Sequence, residues 1–160
     1  MKIKSIETEL KLIPLKTPFS TALRRVENIE FVRVIVLTDN GLVGIGEAPA
    51  TKAITNEDIY DIMNSVWKVE NNLINQTLDE ALSILHSNCE IGSSAKASLD
   101  MAIVSLLAQE KNQTLFEYFG AKKPIKLKTD ITISFKPPHE MIEDSRLAML
   151  NGMNILKIKL

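Results

Sequence analysis

Lys157-Ile158-Lys159 is the pattern with the most chemistry in it. Residues two apart on a strand share a face, so both ammonium groups address one space while Leu156, Ile158 and Leu160 point the other way. Two close ammonium groups disfavour one another's protonation and partial burial adds to the effect, so such a pair supplies a basic amine near neutral pH. The same spacing also suits a solvated strand face whose lysines protect an edge. Arg24 and Arg25 follow the run PFSTAL, and a guanidinium on a loop can grip a carboxylate through both arms of its fork. Exposed loop arginines of no special role look the same. Asp130 and Thr132 share one strand face and add polar groups to it, or serve as ordinary solvent-facing positions.

Other chemistry-bearing residues read as structure. GLVGIG (Gly41, Gly44, Gly46) has neither a helix immediately after it nor the lysine of a phosphate loop, so its glycines are assigned to hairpin and turn geometry. His86 and His139 lie on helices with no carboxylate or cysteine at ligand spacing, and are assigned to structural or surface roles. Cys89 has no base beside it and reads as a buried or turn residue. Trp67 and the other aromatics are dispersed, which does not build a platform for nucleotide bases.

The elements that position these groups follow from periodicity. Lys2 to Leu12 reads as a strand ended before Pro14, with Pro14 and Pro18 bracketing a loop that carries the arginines. Phe31 to Thr38 and Leu42 to Ile45 flank Asp39-Asn40-Gly41 as a hairpin, which makes a three-stranded antiparallel meander. Gly46 to Pro49 is expected to break the last strand. Thr55 is the expected cap of a helix from Asn56 with buried positions at Ile59, Ile62, Met63, Val66 and Val69. Thr77, with Glu80, caps a helix to Ser87. A third helix spans Ser93 to Lys111, and its small residues Ala95, Ala97, Ser98 and Ala102 admit a close neighbour. A short turn from Thr114 to Phe119 closes at Gly120. The pattern changes at Pro124: a strand over Lys126–Phe135, a helix from Pro138 to Leu150 or Asn151 stopped by Gly152, and a strand over Asn154–Leu160. A crossover of this length makes the two strands parallel and right-handed. Two such strands leave faces uncovered, so the chain is expected to stop inside a domain, and the piece by itself to be poorly stable or to associate.

Nineteen basic and twenty acidic residues among 160 give a net charge of -1, without the excess positive field that holds nucleic acid or an anionic membrane. One cysteine excludes an internal disulfide and favours a cytoplasmic setting. The N-terminus lacks the apolar core of a signal peptide, and no apolar run reaches the roughly 18 residues of a membrane span.

Several segments, in order along all 160 residues, are similar to the enolase superfamily, specifically the muconate lactonizing enzyme subgroup and its dipeptide epimerases. They are Met1-Lys2-Ile3, Pro18-Phe19-Ser20-Thr21-Ala22-Leu23-Arg24, Gly44-Ile45-Gly46-Glu47-Ala48-Pro49, Ser94-Ala95-Lys96-Ala97, Thr129-Asp130-Ile131-Thr132 and Leu156-Lys157-Ile158-Lys159. The resemblance implies an α+β capping domain over residues 1–123, followed over 124–160 by the first β-α-β portion of an incomplete (β/α) TIM-like barrel. Two capping loops, around Phe19–Arg24 and Ala48–Thr55, are implied to lie over the substrate. By motif position Lys159 corresponds to the general base, Lys157 to its companion near the substrate carboxylate, Arg24 to the arginine that recognises an acidic side chain, and Thr132 to a polar position facing the substrate. The implied activity of the parent protein is Mg²⁺-dependent 1,1-proton transfer on a small dipeptide through an enediolate, in a homo-oligomer. The metal ligands and the opposing lysine are expected beyond Leu160, so no metal ligand is assigned here and the segment alone is expected to be inactive. The alternatives are a muconate or chloromuconate cycloisomerase-like enzyme, and a noncatalytic capping or assembly module.

Overall fold

A three-stranded sheet in the order β1-β2-β3 opens the computed structural model, with β1 over Ile3–Ser20, β2 over Arg25–Thr38 and β3 over Val43–Pro49. Residues 1–22, 24–123 and 125–160 are described. Leu23, inside the expected arginine loop, and Pro124, at the expected domain boundary, lie outside the described residues. β1 runs straight through Pro14 and Pro18, which the sequence assigns to a loop. It is an edge strand, with no further strand on its outer side among the described residues, and a proline whose missing N–H faces that side breaks no ladder bond.

β2 and β3 pair antiparallel from Phe31↔Pro49 to Leu37↔Val43, around the expected turn, where Gly41 takes the left-handed φ of 87°. Val32, Val34 and Val36 alternate inward and are buried. Gly46 to Pro49 continues β3 rather than breaking it. The reason lies in α4 (Ser93–Glu110), which packs on this strand. A Cβ built on Gly44 would overlap the Ala102 carbonyl, and one on Gly46 the Ser98 carbonyl. These glycines, assigned from sequence to turn geometry, instead let a helix backbone approach a strand, against the small-residue face the sequence indicates on α4. Gly46→Ala is therefore expected to cost about 1–3 kcal/mol, the usual penalty for overpacking. An unchanged denaturation midpoint in urea would contradict the close approach.

A single turn, α1 (Lys52–Thr55), ends at Asn56 in left-handed φ of 59°, and the long helix α2 (Ile59–Leu73) starts after it. Asp58, not Thr55, is its cap. Asp61 N–H donates to Asp58 Oδ1 at 3.1 Å and Asp58 N–H to Asp61 Oδ2 at 2.9 Å. α3 (Leu78–Ser87) carries the expected Thr77–Glu80 capping box, and α5 (Leu115–Tyr118) is capped by Thr114 with Glu117. Ile62, Val66, Val69 and Leu73 of α2, Ala81 and Leu85 of α3, and Leu99, Ile103 and Leu106 of α4 form one core with the inward face of the sheet.

The first turn of α4 has no cap of its own, because its N-cap is Gly92. Glu57 fills that role from a distance in sequence: its Oε2 accepts from Ser93 Oγ at 3.0 Å, Ser94 N–H at 3.0 Å and Ser94 Oγ at 2.8 Å. Burial pushes this carboxyl up, but the hydrogen bonds from Ser94 and Ser93 outweigh it and hold the group below its ordinary 4.5. A carboxyl depressed in the folded state stabilises fully above its unfolded value and loses that contribution as pH falls through the folded one. Glu57→Gln should accordingly lower the melting temperature at neutral pH and much less in acid. Melting curves shifted equally at every pH would refute the linkage.

Two compact units divide the chain: Met1–Leu12 with Glu30–Pro124, and Ile13–Ile29 with Ile125–Leu160. The hairpin segment 13–29 thus groups with the C-terminal residues, a partition that no linear boundary expresses. In the second unit β4 is Ile131–Ile133, α6 is Pro138–Leu150 and β5 is Leu156–Ile158. Both strands are shorter than their apolar patterns suggest, since only these residues find a ladder partner among the described residues. No helix among the described residues is long and apolar enough to cross a membrane.

Candidate active site

β4 and β5 are parallel, as expected, with Ile131↔Leu156, Thr132↔Lys157 and Ile133↔Ile158 in register. Ile131 N–H donates to Ile155 C=O at 3.0 Å and Lys159 N–H to Ile133 C=O at 3.1 Å, so the ladder holds the backbone of Lys159 one residue past β5. Register and the two-residue period put Thr132, Lys157 and Lys159 on one face of the pair. Thr132 and Lys159 are half-buried and Lys157 is exposed. Asp130, one step before β4 on the same side, is exposed.

Helix α6 supports this strand pair. Its Ala148 is buried, as is Ile133 of β4. Lys136 Nζ reaches Asp144 Oδ2 at 2.6 Å, which pins the loop after β4 to the second turn of the helix. Sequence reading missed this pair, because eight residues that cross a Pro-Pro loop follow no helical or strand spacing. Thr132 lines a cavity of about 270 Å³ with Thr17, Pro18, Ser134, Lys136 and Asp144. Residues of the first hairpin and of the parallel strand pair therefore share one wall.

Arg24 belongs to this unit too. The end of β1 is tied to the segment after β4 by Phe135 N–H donating to Ser20 C=O at 2.9 Å. Beyond it, Thr21 N–H donates to Arg24 C=O at 2.9 Å, and Arg24 N–H donates to Thr21 Oγ1 at 3.2 Å. The structure separates two arginines that residue type and loop position alone leave equivalent, in favour of the one the motif singles out: Arg25 Nε pairs with Glu27 Oε1 at 3.0 Å, whereas the exposed Arg24 guanidinium has no salt bridge among the described residues. All four predicted site residues, Arg24, Thr132, Lys157 and Lys159, thus fall in one compact unit although the chain separates Arg24 from the other three by more than a hundred positions.

The second expected loop lies in the other unit. There α1, the end of β3 and the start of α4 border a cavity of about 290 Å³ lined by Pro49, Thr51, Ile54, Ser94 and Ala97. His86 is a surface residue with an acidic partner: its Nε2 is 2.6 Å from Asp100 Oδ1, a carboxylate on α4 that no spacing along α3 reveals. Cys89 is exposed in a bend. No three His, Cys, Asp or Glu side chains among the described residues form a set that would hold a metal ion.

Residues 5–120 match the family model described as mandelate racemase / muconate lactonizing enzyme, N-terminal domain. The chain is 57% identical over 159 residues to an L-amino acid-D/L-Glu epimerase of Sulfurimonas denitrificans, covering 99% of this chain and 47% of that protein. It is 39% identical to an L-Ala-D/L-Glu epimerase of Clostridium acetobutylicum, covering 99% and 45%. Among solved structures, a substrate-liganded complex of the L-Ala-D/L-Glu epimerase from Bacillus subtilis superposes with a TM-score of 0.91 at 36% identity, over 100% of this chain and 45% of that one. The chain spans about half the length of the curated relatives it matches. The sheet-and-helix unit followed by a parallel strand pair, the order of the motifs and the family match agree: this chain belongs to the mandelate racemase/muconate lactonizing enzyme N-terminal domain family, within the enolase superfamily.

Proposed function

We propose that the chain is the substrate-capping and first proton-transfer portion of a dipeptide epimerase, with residues 1–123 as the capping domain and 124–160 as the start of a (β/α) barrel. The observation that carries this reading is the Thr132↔Lys157 register, with Lys159 next on the same face and Arg24 in the same compact unit. Relatives named as D/L-Glu epimerases support the choice of reaction and of an acidic dipeptide.

In this mechanism the Lys159 amine accepts the proton from the substrate α-carbon. The electron pair of the broken C–H bond delocalises into the neighbouring carboxylate, beside the Lys157 ammonium, whose positive charge opposes the growing negative one. Arg24 grips the acidic side chain, and Thr132 offers a hydroxyl to the bound substrate. Return of a proton to the other face inverts the centre, and the acid that supplies it belongs to the longer protein. Relatives crystallised with Mg and dipeptides support Mg²⁺ in that protein. The described residues do not supply the ligand set of such a site.

The test is exchange of the α-proton of L-Ala-L-Glu with solvent deuterium, followed by NMR in the full-length protein with Mg²⁺. Exchange coupled to inversion is expected; a protein that binds the dipeptide without exchanging its α-proton contradicts the reading.

A further inference from the structure

Arg24 extends from the backbone at the tip of the first hairpin, and no salt bridge among the described residues steers its guanidinium. How that backbone is held therefore sets the point and direction from which the flexible side chain starts. One side is secured by main chain alone, through Phe135 N–H to Ser20 C=O and Thr21 N–H to Arg24 C=O. The other half of the closure differs. In a standard hairpin pair the Arg24 N–H would return to the Thr21 carbonyl. Here it donates to the Thr21 hydroxyl at 3.2 Å, and the same hydroxyl lies 3.5 Å from the Arg24 carbonyl, at the outer limit of a bond. A side-chain oxygen thus replaces a backbone one, and removing it takes away the bond that holds the Arg24 N–H.

We infer that Thr21 is a positioning residue for substrate specificity, whose hydroxyl orients Arg24 toward the acidic side chain of the dipeptide. This rests on the proposed role of Arg24. The hydroxyl touches the Arg24 main chain and no reacting atom, so its loss falls on binding of acidic substrates and not on the proton transfer itself. Thr21 is half-buried and away from the core cluster, so valine, which keeps its shape, removes the acceptor with little effect on folding.

The experiment uses the full-length protein with Mg²⁺ and compares L-Ala-L-Glu with its neutral isostere L-Ala-L-Gln. Four variants are needed: Thr21→Val, Thr21→Ser, Arg24→Ala and the Thr21→Val/Arg24→Ala double. Thr21→Val is expected to lower kcat/KM for L-Ala-L-Glu by about tenfold, carried by KM, the scale of one lost hydrogen bond. L-Ala-L-Gln should stay within about twofold, Thr21→Ser should restore the parent values, and Thr21→Val should add nothing once Arg24 is absent. If Arg24→Ala is selective for the acidic substrate but Thr21→Val matches the parent, the positioning role is wrong and the Arg24 reading stands. A Thr21→Val loss equal on both substrates, or additive to Arg24→Ala, also overturns it, as a general effect on the fold. If Arg24→Ala lowers both substrates equally, the Arg24 reading falls and takes the role of Thr21 with it.

Discussion

Changing Lys159 to alanine in the full-length protein is expected to reduce epimerisation of L-Ala-L-Glu by about 10²–10⁴-fold, the range a positioned general base supplies. Folding should be little affected, because the residue contributes to the strand pair through its main chain, which donates to Ile133 C=O at 3.1 Å, and alanine keeps that bond. Substrate affinity should fall less than turnover, since the amine is required for removing a proton and not for holding the dipeptide. The informative readout is solvent deuterium incorporation into each stereoisomer separately. With one base removed, the group on the opposite face still exchanges the α-proton of one isomer, so one-sided exchange is the expected signature. Silence from both isomers, in a protein that is folded and binds dipeptide, would point to a broader role in site geometry. Epimerisation at the parent rate would end the assignment of Lys159 as a base.

The second large effect is expected at Arg24. Its replacement by alanine should lower kcat/KM for acidic dipeptides by about 10–100-fold, the scale of a charge-assisted hydrogen bond, and leave neutral dipeptides nearly unchanged. Arg25→Ala is the control. Arg25 already pairs with Glu27 at 3.0 Å, so its loss removes an exposed ion pair of small worth and should not change the ratio between substrates. Steady-state kinetics on matched acidic and neutral dipeptides decide the matter. Equal losses in both classes, or a larger effect at Arg25, would remove Arg24 from the specificity role.

Whatever depends on neighbours within a turn or two was legible from the residues alone. The Thr77–Glu80 cap, the span of α4 and the Pro138 start of α6 were legible because capping and helical periodicity act over three or four residues. The shared face of Lys157 and Lys159 was legible for the same reason, through the two-residue period of a strand. Local rules were ambiguous where two residues satisfied them equally. Thr55 and Asp58 are both good caps, and the left-handed turn at Asn56 selects Asp58. Tertiary structure decided the features whose cause is distant in the chain. Pro14 and Pro18 are strand residues because β1 is at an edge, and Gly44 and Gly46 are strand residues because the carbonyls of α4 need their missing side chains. Glu57 becomes a helix cap only when Ser93 and Ser94 reach it, and His86 meets Asp100 only when α3 packs on α4. The site follows the same division: strand alternation pairs the two lysines, but only the ladder aligns Thr132 with Lys157, and contacts such as Phe135 N–H to Ser20 C=O tie the arginine hairpin to their unit. Alternation is a property of one chain segment, whereas register and docking are set by hydrogen bonds between segments that no local pattern encodes.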